Sequence, residues 1–544
     1  MKNRNSNKLF IVLGLISLVI GLISACKKDN VDLNFVPTRQ FTPATITVSG
    51  KETSALITWS KSLFSDTATT YTVEFAKDSL FTTGIELTKV TDSLTLTVQD
   101  EELAIKQKHY ARIKANATAK SVESKFITSK SFTITGEQLF LPVYSSQVTE
   151  TTVLLKWRVK PNISKVVLTP VAGGTAVTAN IGTTERNAGQ ITVTGLQPNT
   201  NYEAELFAGN VSKGKVSFGT PGASVATQTL APTDDLAAAI AAASNNAVIA
   251  IQPGTYDLTV VTTDIIGKNI TLQSVSKNPN NTKINFKQFN LKGSGAGIKF
   301  SGIEFDGSIA PADYFINVVG LNSDGEAATF KSIVVENCKI HFTRNCLIRA
   351  NRGSNNGQKL DDIKFDNCIL YDNNASSYSY FMMDKSEFKT ISITNTTIYN
   401  SARAIISWGT NITPAQTPVI TIDHVTINGF GSGVRNNIVL DANTNTVTFT
   451  MQNSIIANTP KAGETVGTNA IKAAGNIKFN NNDYFNLNTG DGNQVTFGSN
   501  VTLISNKTVD LGWNASTTTF ALPANSELRT AGTLSDAIGD PRWH

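Results

Sequence analysis

The chain has 544 residues, of which 40% are hydrophobic and only 16% are charged, and its formal net charge is +5. This length exceeds one ordinary domain, so we expect two to four domains. Three of the positive charges, Lys2, Arg4 and Lys8, lie in a segment that we expect to be removed, which leaves about +2. Such a weak balance argues against nucleic acid as a partner.

The first 26 residues are predicted to be a targeting segment rather than part of the fold. A basic stretch, MKNRNSNK, precedes the apolar run LFIVLGLISLVIGLIS, and the segment ends in ISAC at Cys26. The apolar run is shorter than the about 20 residues of a transmembrane helix. The segment resembles a bacterial lipoprotein signal, which implies a signal peptide over 1–25, lipidation of Cys26 and a linker over 26–39. The following KKDN resembles the surface-export tag of Bacteroidetes-type lipoproteins.

Two β-sandwiches are predicted next, over residues 40–135 and 138–230. SALITWS in the first and TVLLKWR in the second alternate apolar with polar residues, as half-buried strands do. In GLQPNTNYEAELFA, Leu196, Pro198 and Tyr202 match a tyrosine corner. The second copy therefore resembles fibronectin type III domains, and the first copy, whose corner is less clear, resembles them more loosely. Because neither copy shows an exposed aromatic cluster, we favour a spacer role over sugar binding.

A capping helix and a strand are predicted to open the last domain, residues 231–544. TDDLAAAIAAASNNA offers Asp234 or Asp235 as an N-cap, followed by a short apolar face. VIAIQPGTYDL then supplies a strand and a turn on Pro253 and Gly254. This order resembles the entry to right-handed parallel β-helices of the pectin lyase-like superfamily. A stack of coils needs such a cover because its open end exposes unpaired backbone.

A repeat of coil length follows this entry. An apolar residue, a polar residue and then a small or amide residue recur in steps of 28 to 35 residues, with the third positions at Ser274, Gly302, Asn337, Asn367, Asn395, His424, Asn453 and Asn481. We expect the asparagines to bond one another as a ladder at a bend, and His424 to belong to that ladder rather than act as a base. Cys338 and Cys368 each follow a ladder asparagine, which predicts buried stacking and leaves a disulfide between adjacent coils open.

The predicted fold class is all-β, with two fibronectin type III-like β-sandwiches followed by a right-handed parallel β-helix that carries an N-terminal capping helix. At the far end, Trp543 in GDPRWH is expected to cover the last coil. The whole chain resembles surface lipoproteins of Bacteroidetes-type glycan-utilisation systems. This resemblance implies an outer-membrane, lipid-anchored protein facing the cell exterior, which contacts the membrane through its lipid and has outer-membrane glycan-uptake proteins as partners.

A second column of strands carries the candidate site. CLIRANR, YFMMDKS, AIISWGT and NIVLDAN fall on successive coils and have charged or aromatic ends. Arginine binds carboxylates with two hydrogen bonds, and an exposed tryptophan stacks on a sugar face. We therefore predict a ridge that binds acidic, pectic-type polysaccharide, with the candidate residues Arg349, Arg352, Tyr380, Lys385, Arg403, Trp408 and Arg435. Solvated coil edges with internal salt bridges explain the same residues equally well.

The alternative function is a Ca²⁺-dependent, pectate-type polysaccharide lyase that acts by β-elimination. In such enzymes carboxylates hold Ca²⁺ against the substrate, and a basic side chain removes a proton. Asp384, Lys385, Arg403 and Asp441 supply the residue types. No dense carboxylate cluster appears, and the patterns of β-helix polygalacturonases and pectin esterases are missing. We therefore favour a non-catalytic binding protein without cofactor or metal. A third hypothesis is an adhesive or structural role, which needs no binding site.

Overall fold

The computed structural model describes residues 38–544, with gaps at 66–67, 224, 374–377, 402 and 434–436. The predicted signal peptide and the lipidated Cys26 lie outside the described residues. Within the described part of the chain, no helix is long and apolar enough to cross a membrane.

The first sandwich is built from seven strands. They are β1 to β7, with the bounds Ile46–Gly50, Ser54–Trp59, Tyr71–Ala76, Leu87–Thr91, Thr95–Gln99, Tyr110–Ala115 and Ile127–Thr128. One sheet has the order β1-β2-β5 and the other β4-β3-β6-β7. Trp59 and Tyr71 pack edge to face in the core between them, with ring centroids 5.7 Å apart. The predicted sandwich is confirmed.

The second sandwich has six strands and one short helix, α1 (Thr183–Ala188). The strands β8 to β13 are Thr152–Lys156, Lys165–Pro170, Val177–Asn180, Gln190–Thr194, Asn201–Ala208 and Val211–Gly219. They form the sheets β10-β9-β12-β13 and β11-β8. Alternating residues such as Val153, Leu155 and Trp157 are buried, as the period-two pattern predicts.

The two sandwiches close their corners with different side chains. In the second, the buried Tyr202 hydroxyl accepts a hydrogen bond from the Gln197 main-chain N–H at 2.9 Å, which confirms the tyrosine corner. In the first, His109 occupies the equivalent place, and its Nε2 lies 2.8 Å from the Ala104 carbonyl oxygen. Its Nδ1 lies 2.8 Å from Glu86 Oε2. The first corner was unclear in the sequence because a histidine, instead of a tyrosine, forms the contact with the main chain five residues earlier.

The last domain is a parallel β-helix of about nine turns. It opens with β14 (Gln228–Leu230) and the helix α2 (Leu236–Ala242). Its further strands, β15 to β26, are Val248–Ile251, Gly254–Leu258, Thr263–Ile266, Asn269–Ser274, Thr282–Phe286, Phe289–Lys292, Gly297–Ser301, Glu304–Asp306, Ala312–Val319, Ala328–Phe330, Ile333–Glu336 and Lys339–His341. β27 to β38 follow as Thr343–Arg349, Gln358–Asp366, Ile369–Tyr371, Phe381–Met382, Glu387–Ser401, Ile406–Ser407, Val419–Phe430, Leu440–Gln452, Ile455–Thr459, Ile471–Asn480, Asp483–Leu487 and Val501–Ile504.

The entry to the β-helix forms as predicted. The Asp235 carboxylate accepts a hydrogen bond from the Ala238 N–H at 2.9 Å and so caps α2. Tyr256 is buried, and its hydroxyl lies within hydrogen-bond distance of two carbonyl oxygens, those of Leu230 at 3.0 Å and Gln252 at 2.9 Å. A side chain at Gly254, where φ is 144°, would meet Pro232 at 2.3 Å. The PGTY turn therefore ties the cap to the first coil.

The coil repeat is confirmed by the strand register. The paired positions are Leu272, Phe300, Val335, Phe365, Ile393, Ile422, Met451, Phe479 and Leu503. Each predicted third position lies two residues after one of these. All of these apolar side chains except the last are fully buried. One column of buried apolar side chains inside the β-helix therefore gives rise to the coil-length repeat in the sequence.

We call the column after these residues the first bend. Its members from Gly302 onward all have a positive φ, between 50° and 72°: Gly302, Asn337, Asn367, Asn395, His424, Asn453, Asn481 and Ser505. Glycine and asparagine tolerate this left-handed backbone better than other residues, which explains the composition of the column.

The predicted amide ladder forms only in part. Asn367 Nδ2 donates to Asn337 Oδ1 at 3.2 Å, which is one rung. Asn395 Nδ2 instead donates to the Asp366 carboxylate at 2.8 Å. His424 lies in the column, as predicted, between Asp423 at 2.8 Å and Asp536 at 3.0 Å. The backbone, more than amide pairing, fixes the bend.

A second bend, which the sequence analysis missed, follows the next strand of each coil. Its members also have a positive φ, between 46° and 62°: Phe342, Asp372, Asn400, Gly429, Asn458 and Asn486. Asn400 Nδ2 donates to Asp372 Oδ1 at 2.6 Å, and Asn486 Nδ2 donates to Asn458 Oδ1 at 2.5 Å. Polar rungs thus run along this bend as well.

Two smaller expectations concern the cysteines and the C-terminus. Cys338 and Cys368 are free, buried thiols, so the predicted stacking holds and no disulfide joins the coils. Trp543 does not cover the last coil: its Nε1 donates to Thr397 Oγ1 at 2.7 Å, several coils earlier. The reason is that residues 509–544 run back along the β-helix, and we call them the C-terminal strap. The strap buries Leu522, Leu528 and Ile538 against Ile455, Ala457 and Phe485.

Candidate functional site

The predicted column of strands presents one side chain per coil to the outside. The paired positions are Arg349, Met382, Ser407, Asp441 and Lys472. None of these five is buried, whereas the residue before each of the first four is fully buried. Parallel coils advance by about 4.8 Å, so these five positions span about 19 Å. We call them the outer row.

Arg349 is held in place at one end of the outer row. Its guanidinium carbon lies 4.9 Å from the Tyr314 ring centroid and 5.6 Å from that of Tyr378. It also donates to the Tyr314 hydroxyl at 2.6 Å and to Asn351 Oδ1 at 3.1 Å. Two rings and two hydrogen bonds therefore orient this cation before any ligand arrives. Arg352 differs, because it forms an ion pair with Asp324.

Two carboxylates, Asp384 and the outer-row member Asp441, lie close enough to influence each other. Asp384 accepts hydrogen bonds from the Ser407 hydroxyl at 3.3 Å and from the Gly409 main-chain N–H. Burial raises the pKa of Asp384, and the negative charge of Asp441 raises it further. Among the described residues, no group of three or more His, Cys, Asp or Glu side chains could hold a metal ion. Both carboxylates can accept hydrogen bonds from a ligand.

Two lysines supply positive charge on or next to the row. Lys385 follows Asp384 directly, is half-buried, and has a positive φ of 70°. Lys472 is exposed at the end of the row. Neither ammonium group forms an ion pair with any residue that the structure describes. Both are therefore available to an anionic ligand.

Two predicted aromatic contacts are wrong. Trp408 is fully buried, its Nε1 donates to the Ser386 carbonyl at 2.8 Å, and its ring packs on Phe388. Tyr380 is also buried, with its hydroxyl near Asn373 and Ser401. Successive residues of a strand point to opposite faces, so Trp408 faces inward because Ser407 faces outward. Neither ring can stack on a sugar from solvent.

Of the two remaining candidates, Arg403 is half-buried and lies in the segment just before β32. Arg435 lies outside the described residues. Met382, Ser407 and Lys472 are outward positions that sequence reasoning did not name. The signal that would have found them is the strand alternation counted from the buried coil repeat.

Comparisons with known proteins cover parts of the chain. The family model described as "Domain of unknown function (DUF4957)" matches residues 254–401, within the β-helix. No curated protein matches the chain.

Among solved structures, a two-domain fibronectin type III segment from chicken tenascin is 16% identical, with a TM-score of 0.19, and the match covers 32% of this chain and 97% of that one. The FN1–FN3 domains of chicken CNTN1 are 13% identical, with a TM-score of 0.15, and the match covers 33% of this chain and 64% of that one. These comparisons give the chain no substrate or partner.

Proposed function

We propose that the chain is a cell-surface lipoprotein whose β-helix binds acidic, pectic-type polysaccharide along the outer row. The observation that carries this proposal is a set of three cations, of which Arg349 and Lys472 belong to the outer row and Lys385 follows its member Met382 by three residues. Arg349 is oriented by its neighbours, and Lys385 and Lys472 form no ion pair within the described part of the chain. A polymer with regularly spaced carboxylates meets these charges in turn as it lies along the coils.

The uncharged and acidic members of the row suit the remainder of such a ligand. The Ser407 hydroxyl both donates and accepts, and the Asp441 carboxylate accepts hydrogen bonds from sugar hydroxyls. Met382 adds a flexible apolar contact. The mixture favours a carbohydrate with both hydroxyl and carboxylate groups over a simple polyanion.

The location belongs to the same proposal. Residues 1–26 resemble a lipoprotein signal, so we infer lipidation at Cys26 and an outer-membrane position facing the cell exterior. The two sandwiches would then act as spacers between the membrane and a pectin lyase-like β-helix. Neighbouring glycan-uptake proteins in the outer membrane are the partners we propose, as in the Bacteroidetes-type systems that the chain resembles.

The second candidate function is the Ca²⁺-dependent lyase, favoured by the interaction of Asp384 with Asp441 across two coils. Ca²⁺ takes about six to eight oxygen ligands, and two carboxylates supply few of them. The described residues therefore do not form a fitting site for this ion by themselves, and we derive no reaction step through it.

The test is retention of the protein lacking residues 1–26 in gels that contain polygalacturonate. We expect Lys472→Glu to weaken binding roughly tenfold, because it reverses an exposed charge on the outer row. Lys478→Glu is the matched control, since Lys478 is an equally exposed lysine of the same strand, β36, outside the row. Equal weakening by both variants, or no retention of the unaltered protein, would contradict the proposal.

The same samples decide between binding and lysis. Unsaturated products absorb ultraviolet light, so absorbance is followed with Ca²⁺ and with a chelator. A rise that needs Ca²⁺ and disappears in Lys385→Asn would make the protein a lyase. Asparagine is chosen because it tolerates the positive φ at this position.

A further inference from the structure

A groove follows the second bend, on residues that the outer row does not use. It consists of two adjoining cavities of about 400 Å³ and about 290 Å³. They share Lys461, Ala462 and Ala515, so they adjoin one another, and we consider them together. We call it the corner groove. Its combined volume is in the range of small-molecule binding sites.

The floor of the corner groove is the second bend itself. Five successive coils contribute to it, through Asp372, Asn400, Gly429, Asn458 and Asn486. The strap crosses this floor at Ala515, because a side chain at Gly429 would meet the Ala515 carbonyl oxygen at 2.5 Å. Asn458 is buried, and its Nδ2 donates to Asn428 Oδ1 at 2.7 Å and to the Trp513 carbonyl oxygen at 3.1 Å, so its amide is held in place.

The walls come from two separate segments. One is the loop after β35, residues 460–465, and the other is the strap segment 513–518. Trp513 lines the groove and is partly exposed. Its ring packs against Phe485 and Phe520, with centroids 5.9 Å and 5.0 Å away. An aromatic side chain is therefore fixed beside the amides of the floor.

The charges around the groove have mixed signs. Burial lowers the pKa of Lys461, while the carboxylates of Glu464 and Asp372 act in the opposite direction. A site with one cation between two anions attracts neither a polyanion nor a polycation. The other lining groups are mostly amides and hydroxyls, including those of Asn488, Asn514 and Thr517.

We propose that the corner groove binds a neutral, hydroxyl-rich saccharide segment. Amides and hydroxyls both donate and accept hydrogen bonds, which matches sugar hydroxyls. Trp513, which is partly exposed, adds an aromatic residue to the lining, and aromatic side chains suit the apolar C–H face of a sugar. An extended peptide fits less well, because peptides are captured at open sheet edges or in apolar grooves, and this floor is a row of turns and side-chain amides. The proposal stands independently of the outer row.

The test uses the protein lacking residues 1–26 with gluco-, xylo-, manno- and galacto-oligosaccharides, followed by saturation-transfer NMR and calorimetric titration. We expect at least one of these ligands to bind, and Ala462→Trp to reduce its affinity at least tenfold by filling the groove. Ala462→Ser, which leaves the groove open, should bind as the unaltered chain does. Ala172→Trp, on an exposed turn of the second sandwich, controls for the added ring.

Two results would overturn the proposal: no binding of any of the four ligands at millimolar concentration, or equal affinity in Ala462→Trp. An unchanged melting temperature shows that Ala462→Trp is folded. Polygalacturonate retention is measured in parallel and should not change in Ala462→Trp. If the unaltered protein binds an oligosaccharide but is not retained by polygalacturonate, the result counts against the outer row alone.

Discussion

The two bends of the β-helix impose the same left-handed backbone, but individual asparagines along them differ in burial and in hydrogen bonding. At the first bend Asn453 is buried, and it bonds to Asp423 and Thr533. At the second bend Asn400 is exposed and donates one hydrogen bond, to Asp372. Where side chain and backbone are both constrained, asparagine recurs. At the second bend Asp372 and Phe342 also occur, and at Gly429 a side chain would meet the Ala515 carbonyl oxygen at 2.5 Å.

The largest effect is expected at the first bend. Asn453→Ala should lower the free energy of unfolding by about 2–4 kcal/mol, because it adds left-handed strain and removes buried hydrogen bonds. Asn453→Gly adds no left-handed strain to the backbone and should lower the free energy of unfolding by less. Urea denaturation followed by circular dichroism gives both values. Equal losses of stability in Asn453→Ala and Asn453→Gly would show that backbone strain does not contribute.

The histidine of the first bend should make stability depend on pH. His424 is enclosed by Asp423, Asp536 and the Tyr144 hydroxyl, and its hydrogen bonds to the two carboxylates outweigh burial and raise its pKa to about 9. His544 also lies close enough to interact with it. A raised pKa stabilises the fold fully below about pH 6.5, and this contribution is lost as the pH rises through about 9.

The measurement is the urea midpoint of the unaltered chain and of His424→Asn between pH 6 and pH 10. Asparagine retains the tolerance for a positive φ, so the comparison isolates the charge. We expect the two midpoints to be furthest apart at the acid end and to approach each other towards pH 10. A constant difference across the range would show that the His424 charge does not stabilise the fold.

A smaller effect is expected at the second bend. Asn400→Ala should lower the free energy of unfolding by about 1 kcal/mol, since strain is added but little buried bonding is lost. Asn400→Gly should be close to neutral. The same urea series measures both variants. A loss at Asn400 as large as that at Asn453 would erase the distinction between the bends.

The smallest effect has the opposite sign. Phe342 has a φ of 62° and a ring that is 40% exposed. Phe342→Asn should raise the free energy of unfolding by about 0.5 kcal/mol, because asparagine adopts this backbone more easily. Thermal unfolding would show a higher midpoint. A clear loss of stability would mean that the ring contact between Phe342 and His341 outweighs the strain.

The fold could be predicted because its signals lie within short stretches. The coil repeat follows one buried apolar column, and the corner motif at Tyr202 and the cap at Asp235 each lie within a few residues. The second bend was missed because its residue types vary. The first corner was unclear because His109 replaces a tyrosine. The strap was missed because its contact with coils far away in sequence leaves no local pattern.

The site could be predicted only as a set of strands. Arg349, Lys385 and the two aspartates were correctly placed on neighbouring coils. Whether each side chain faces solvent or the core was not predicted correctly. Trp408 was therefore expected on the outside, although it lies in the core. A one-residue error in register exchanges the two faces of a strand, and loops of unequal length hid the register here. The corner groove depends on the strap and was beyond sequence reasoning.

The most direct test of the proposed function uses a methionine of the outer row as its own reporter. Met382 is half-buried on the row, whereas Met383 and Met451 are fully buried. Peroxide should therefore oxidise Met382 first, and mass spectrometry of the fragment ions separates it from Met383. If acidic polysaccharide lies on the outer row, polygalacturonate slows the formation of Met382 sulfoxide and a neutral polymer does not. An unchanged oxidation rate at saturating polygalacturonate would contradict the account.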